Sequence, residues 1–324
     1  MTTVRRHAGA TDAKNRGSAD VTEVTLQIAA LDGFMLGATL YSSHALQEPS
    51  TAVLFSCGGA IPAARYARFA KFLAANQIPV LMFDYRGIGA SRTSALRGFR
   101  AVAEDWSEHD CGGAIAYLRA QFPRAEIVGI AHSIGTMLIG GAPNVDLISR
   151  FVFLCAHTGY YADYMPMYRL PMAVLWHGVM PILTRIFGYF PAHVLGLGED
   201  IPEGVAMQWA ARRSPEFRPE STNADVKRAN SMIARYKNVS GQVLAIGFTD
   251  DAFATRAGTR RLLEAFPALH TVSVQIAPRE VDMPEIGHFG FFRRGGEPLL
   301  WPFVLDFVKD GATVLRPAAS PTSG

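Results

Sequence analysis

Ser133, His288 and the acidic pair Asp250-Asp251 have the types and spacing to do acyl-transfer chemistry. Ser133 stands in "IVGIAHSIGT", residues 127–136, where a run of strand-forming residues ends and a helix pattern begins. A serine on such a sharp turn can be thrust clear of the sheet, with the Ile134 N–H of the next helix facing a developing oxyanion. The stretch falls one residue short of G-x-S-x-G, because Ala131 stands at the first glycine. The competing reading of Ser133 is a helix N-cap. His132 directly precedes the serine, and neighbours in a strand point to opposite sides. It is therefore expected to pack or hydrogen-bond locally rather than act as the base.

Asp250 and Asp251 follow the apolar run "QVLAIGF". A carboxylate there can orient a histidine and stabilise its imidazolium, although an aspartate also serves as an N-cap. His288 lies in "EIGHFGFF", between glycine and aromatic neighbours, and of the nine histidines it is the one that follows the last predicted strand. A further stretch, Ser56-Cys57-Gly58-Gly59-Ala60, closes the run "TAVLF", and its glycines allow backbone N–H groups to turn toward a ligand.

These positions have meaning only if the elements before them are strands of one sheet. "EVTLQIAALDGFMLGATLY" reads as a hairpin turning at Asp32-Gly33. "TAVLFSCGG", "IPVLMFDYRGIGAS", "EIVGIAH", "FVFLCAHT", "QVLAIGFTDD" and "HTVSVQIA" are short apolar runs. Most are separated by helix patterns such as "PAARYARFAKFLAANQ" and "VAEDWSEHDCGGAIAYLRAQF". That order predicts an α/β fold with a mostly parallel sheet covered on both faces. Ligands then bind outside the carboxyl ends of the strands. Residues 157–236 are rich in Tyr, Met, Trp and Pro and show no strand alternation, so they are expected to form a helical cap inserted over the strand ends.

With 324 residues, 49% of them hydrophobic, the chain can bury a large core. Its net charge of +3 and mixed-sign surface give no reason to expect a nucleic-acid partner. Three cysteines without a C-x-x-C pair suggest free thiols in a reducing compartment, and a cytoplasmic protein is expected. Residues 1–20 lack an apolar signal-peptide core and are expected to be a disordered arm, as are residues 313–324 at the other end. The most membrane-like stretch, residues 172–190, is interrupted by His177, Pro181 and Arg185, so no membrane-spanning contact is expected. No histidine pair has metal-ligand spacing, and no metal or organic cofactor is expected.

Taken together, "FDYRGIGAS" (83–91), "VGIAHSIG" and "IGHFGFFR" (286–293) carry a resemblance to the alpha/beta-hydrolase superfamily. Within it the chain is similar to bacterial serine hydrolases of the serine-aminopeptidase and lysophospholipase-like branch. "LGLGEDIPEGVAMQWA" resembles that group's cap segment, and the resemblance covers about residues 22 to 310. It implies an alpha/beta-hydrolase core over residues 21–156 and 237–312. It further implies Ser133 as nucleophile, His288 as general base and Asp251 as acid, with Asp250 the alternative. Gly59 or Ala60 would supply one oxyanion N–H and Ile134 the other. Asp84 and Arg86 are read as stabilising their own glycine turn.

The reaction expected is hydrolysis of a carboxylic ester or thioester with an apolar acyl or alkyl group, through an acyl-enzyme. Tyr160, Tyr161, Trp176, Trp209 and Phe289 are the expected substrate contacts. The alternatives are hydrolysis of an aminoacyl or peptide amide, and a non-catalytic ligand-binding protein on the same scaffold.

Overall fold

A computed structural model describes residues 21–46, 48–212 and 224–311. The arm expected at 1–20 and the tail expected at 313–324 lie outside the described residues. The first half alternates strands with helices: β1 (Val21–Ala29), β2 (Met35–Ser43), β3 (Thr51–Ser56), α1 (Ala67–Ala75), β4 (Val80–Phe83), α2 (Gly112–Gln121), β5 (Glu126–His132), α3 (Gly135–Gly140) and β6 (Ile148–Leu154). The middle segment holds α4 (Pro166–Val174), α5 (Met180–Phe187), β7 (Tyr189–Phe190), β8 (Ile201–Pro202), α6 (Glu203–Ala211) and α7 (Ala224–Tyr236). The chain then closes with β9 (Gly241–Phe248), α8 (Arg256–Glu264), β10 (Leu269–Ile276) and α9 (Glu297–Asp310).

Eight strands form one sheet in the order β1-β2-β4-β3-β5-β6-β9-β10. β1 and β2 pair antiparallel at one edge, and β2 meets β4 antiparallel. Every other pairing is parallel. All of β3 and β4 is buried, as are all but the first residues of β5 and β9. Continuous apolar runs are what a sheet covered on both faces requires. The carboxyl ends of β3, β5, β6, β9 and β10 therefore open on the same side of the molecule.

The turn after β4 is structural, as the sequence suggests. Asp84 accepts the N–H groups of Ala63 (2.6 Å) and Ala90 (2.8 Å). Arg86 is 2.7 Å from both Asp32 and Asp110, which ties the β1–β2 turn to the start of α2.

A knot of rings carries the loop between β10 and α9. Phe291 and Phe292 are buried and meet Phe55, Tyr66 and Phe69 edge-on at 4.7–6.0 Å. Trp301 of α9 adds a contact to Phe69 and donates its indole N–H to Phe291 O. Each buried ring of this size stabilises by about 1.5–3 kcal/mol. A loop with little regular structure is thereby held in one place.

The middle segment is helical over the strand ends, with one addition the sequence pattern does not reveal. β7 and β8 form a two-stranded antiparallel ribbon at the turn between α5 and α6. α4 and α5 also join through a π turn, Leu175–Val179, into one unbroken helix, Pro166–Phe187. The interruptions at His177, Pro181 and Arg185 do not break it, because the π turn just before Pro181 shifts the backbone hydrogen bonding where the proline's N–H is missing. These 22 residues are long and apolar enough to cross a membrane by length and composition only, and 11% of the most apolar window is buried. Met180 and Thr184 are the buried residues of α5. α7 leaves this layer: Tyr236 stacks on Phe266 at 4.4 Å and bonds Met137 O, flanking α3.

Candidate active site

β5 delivers Ser133 to the middle of the carboxyl edge. The serine adopts a left-handed backbone, φ 57°, between the last strand residue and α3. A non-glycine residue there stores about 1–3 kcal/mol of strain, and the close packing around it holds it. Gly135 shows how tight the turn is, since a Cβ at that position would lie 2.3 Å from Cys57 O. Ala131 is fully buried in β5 opposite Ser56, so the missing first glycine is accommodated as alanine.

Three side chains from three strand ends meet here. Ser133 Oγ is 3.0 Å from His288 Nε2, and His288 Nδ1 is 2.8 Å from Asp251 Oδ2. Asp251 is fully buried, and its other oxygen accepts the N–H groups of Phe253 (2.8 Å) and Ala254 (3.0 Å). Burial alone would raise its pKa. The charge and hydrogen bond of His288 and the two backbone donors outweigh that and hold the carboxyl well below the usual carboxylate range. Asp250 points elsewhere and accepts the Ile286 N–H at 2.8 Å. It ties down the loop that carries His288, while the contact to the imidazole comes from Asp251.

His132 takes the local role expected of it. Its Nε2 lies 2.9 Å from His288 O and its Nδ1 lies 3.0 Å from the Tyr66 hydroxyl, which in turn accepts the Gly58 N–H. The carbonyl must accept, so His132 carries its proton on Nε2. His132, Cys155 and His288 bring their ligand atoms within 4.8 Å of one another. Both nitrogens of each imidazole already have hydrogen-bond partners. Burial pushes the Cys155 thiol well above its usual range, so this cluster is a poor match for a metal.

Gly59, Ala60 and Ile134 frame the other side of the serine. A Cβ on Gly58 would sit 3.5 Å from Ser133 Cβ, and one on Gly59 would sit 2.8 Å from Ile134 Cγ2. Ala60 is left-handed, φ 59°, and its carbonyl accepts the Glu199 N–H from the cap. Among the described residues, the N–H groups of Gly59, Ala60 and Ile134 have no hydrogen-bond acceptor. They are free to receive one.

The expected substrate contacts divide. Trp209 reaches the Gly59 backbone, its ring 3.6 Å from a Cβ placed there, and Trp176 lies tilted against it at 4.9 Å. Phe289 lies against His288 and His132 at 5.1–5.2 Å, under the Arg65 guanidinium. Tyr161 packs edge-on to His177 at 5.2 Å, and Tyr160 leans on Tyr161 at 5.1 Å.

One residue here was not singled out from the sequence. His157 follows β6, is 4% exposed, and places Nε2 3.0 Å from Ser133 Oγ. The serine oxygen therefore lies between two imidazoles. The signal was present in the sequence, because His157 is a polar residue just past a strand end, like the others. Burial, with the charge of His288 adding, pushes its pKa down to about 3.

That depression has a consequence for stability. Between about pH 6.5 and 3 the unfolded chain binds a proton at His157 that the folded chain refuses. The group's contribution is intact above pH 6.5 and is lost as the pH falls. At pH 5 the loss is about 2 kcal/mol. Denaturant unfolding of wild type and His157→Phe at pH 7 and pH 5 is expected to show the variant losing less stability on acidification, by about that amount. Equal losses in the two proteins would show that His157 is protonated normally in the fold.

Comparison with known proteins gives a consistent picture. A family model described as "Alpha/beta hydrolase family" matches residues 52–298. No curated protein matches the sequence. Among solved structures, an esterase of Pyrococcus furiosus is similar over 95% of this chain and 97% of its own, at 14% identity and TM-score 0.55. The esterase domain of a Rhodothermus marinus protein covers 89% and 96%, at 14% identity and TM-score 0.53. The acylaminoacyl peptidase of Pyrococcus horikoshii matches 94% of this chain at 14% identity and TM-score 0.54, but this chain spans only 43% of that protein's length. At such identities the likeness is one of fold.

Proposed function

The chain belongs to the alpha/beta hydrolase family, and from that premise we propose that it is a serine hydrolase acting on a carboxylic ester or thioester with an apolar acyl or alkyl group. The observation that carries this reading is the unbroken hydrogen-bonded chain Ser133–His288–Asp251 at 3.0 and 2.8 Å. In this reading His288 takes the Ser133 proton as Oγ attacks the carbonyl carbon. Asp251, held ionised, stabilises the imidazolium that results. The unpaired N–H groups of Ile134 and of Gly59 or Ala60 receive the oxyanion. His288 then gives its proton to the leaving group, and water repeats the sequence on the acyl-enzyme. The three free, buried thiols support a reducing, cytoplasmic setting.

The apolar side of the substrate rests on Trp209 beside Gly59, on Trp176 against it, and on Phe289 beside His288. A series of p-nitrophenyl esters from acetate to decanoate is expected to show kcat/KM rising with chain length until the pocket is filled. Each buried methylene contributes about 0.8 kcal/mol, or about fourfold. A flat series together with ready cleavage of aminoacyl p-nitroanilides would replace the apolar ester by an aminoacyl amide. Some proteins of similar fold carry such names, among them acylaminoacyl peptidase and puromycin hydrolase.

A further inference from the structure

His157 touches the reacting oxygen, yet it has no part in the proton transfer just described. Its geometry fixes what it can do. Its Nδ1 lies 2.9 Å from the Gly159 backbone nitrogen, which can only donate. Nδ1 must therefore offer a lone pair, and in a neutral imidazole the single proton then sits on Nε2. Nε2 is the atom 3.0 Å from Ser133 Oγ. The ring has no second proton to gain, because it is buried and held neutral over the working range. The loop is fixed on several sides. Cys155 is left-handed at φ 51°, Thr259 bonds Ala156 O, and Arg212 bonds Thr158 O. Tyr164 meets the ring edge-on at 5.9 Å.

These contacts assign every proton along the chain of bonds. His157 Nε2–H donates to Ser133 Oγ. The hydroxyl hydrogen must then point to His288 Nε2, whose own proton is on Nδ1 toward Asp251. His157 cannot serve as a base, since it presents a hydrogen to the serine rather than a lone pair.

We propose that His157 is a catalytic residue, a fixed neutral hydrogen-bond donor to Ser133 Oγ that assists the departure of that oxygen from the acyl-enzyme. The inference rests on the serine-hydrolase reading above. In acylation Oγ passes its proton to His288 and bonds to the carbonyl carbon, while His157 keeps its own proton. In deacylation water bonds to that carbon and gives a proton to His288. The C–Oγ bond then breaks, Oγ leaves with the electron pair, and His288 returns a proton to it. Charge develops on Oγ as it leaves, and a donor already aimed at it stabilises that charge. The effect falls mainly on deacylation, where Oγ is the leaving group.

The test uses His157→Phe, which removes the donor, and His157→Gln, which restores an N–H. Rapid-mixing kinetics with a p-nitrophenyl ester separates the two half-reactions. For His157→Phe deacylation is expected to slow by about 10- to 100-fold, the worth of one hydrogen bond to a charged oxygen. A burst approaching one p-nitrophenolate per enzyme and an acylated Ser133 in the intact mass should accompany it. Labelling by a fluorophosphonate, which needs no deacylation, is expected to slow by less than about fivefold, a small part of one such bond. His157→Gln should recover part of the deacylation rate. The proposal is overturned if His157→Phe deacylates at the wild-type rate, or if labelling and deacylation fall together with no burst and no recovery by glutamine. Should wild type itself fail to label at Ser133, both readings go. If the phenylalanine variant does not fold, nitrogen NMR of the wild-type histidines decides. A His157 ring protonated on Nε2 and unchanged from pH 5 to 9 supports the proposal, and a titrating ring or a proton on Nδ1 overturns it.

Discussion

Replacing Ser133 by alanine is expected to abolish ester turnover, lowering kcat by about 10⁴ to 10⁶ while the protein stays folded. The size follows from what the side chain supplies. Among the described residues no other hydroxyl is bonded to both imidazoles, so the variant keeps the two histidines and the backbone N–H groups but has no nucleophile. Stability should change little, because alanine loses only the hydroxyl and keeps the left-handed backbone that the packing already holds. A fluorophosphonate probe gives the cleanest measurement. Wild type should carry one label on Ser133, and Ser133→Ala should carry none. Equal labelling of the two proteins, or a Ser133→Ala enzyme that retains turnover, would end the serine-hydrolase reading.

The second large effect separates two neighbouring carboxylates. Asp251→Asn is expected to cost about 10⁴ in kcat, and Asp250→Asn less than about tenfold, as for a lost loop tie outside the chemistry. Asp251 Oδ1 accepts two backbone N–H groups, so an amide at that position places its oxygen there and turns its NH₂ toward His288. His288 Nδ1 must then accept, its proton moves to Nε2, and the base is lost with the geometry otherwise intact. Asp250 binds a single N–H, at Ile286, and an amide oxygen can take its place. Steady-state kinetics on the two variants reads the difference. Comparable losses in both would mean that the acid is shared or misassigned.

Much of this arrangement was legible in the sequence, for a definite physical reason. Parallel strands buried on both faces appear as apolar runs, and the residue after each run falls on one edge of the sheet. Ser133, Asp250 and Asp251 could be found that way, and His288 by lying in the loop that follows the last run. The choice between Asp250 and Asp251 could not be made from the runs alone, because consecutive residues at a strand end diverge according to the local turn. His157 obeys the same rule at the end of β6, yet "FVFLCAHT" reads first as a hydrophobic strand. The π turn that makes α4 and α5 continuous was hidden because His177, Pro181 and Arg185 look like interruptions in that stretch. Whether they break a helix depends on packing, which no local pattern records. β7 and β8, of two residues each, are too short to show an alternation.

The continuous helix Pro166–Phe187 also bears on how the folded chains behave toward one another in concentrated solution. Of the 13 large hydrophobic residues exposed on the described part of the molecule, nine lie between Met167 and Leu197. The net charge is only +3, so long-range repulsion between copies is weak. Any contacts between native copies are then expected at the cap, without any chain opening first, which light scattering of the folded protein at rising concentration would check. Loss of monodispersity and loss of structure become separate events. A mild nonionic surfactant acts on the first and leaves the second alone, and clouding on storage reports the cap's outer surface rather than the strength of the core.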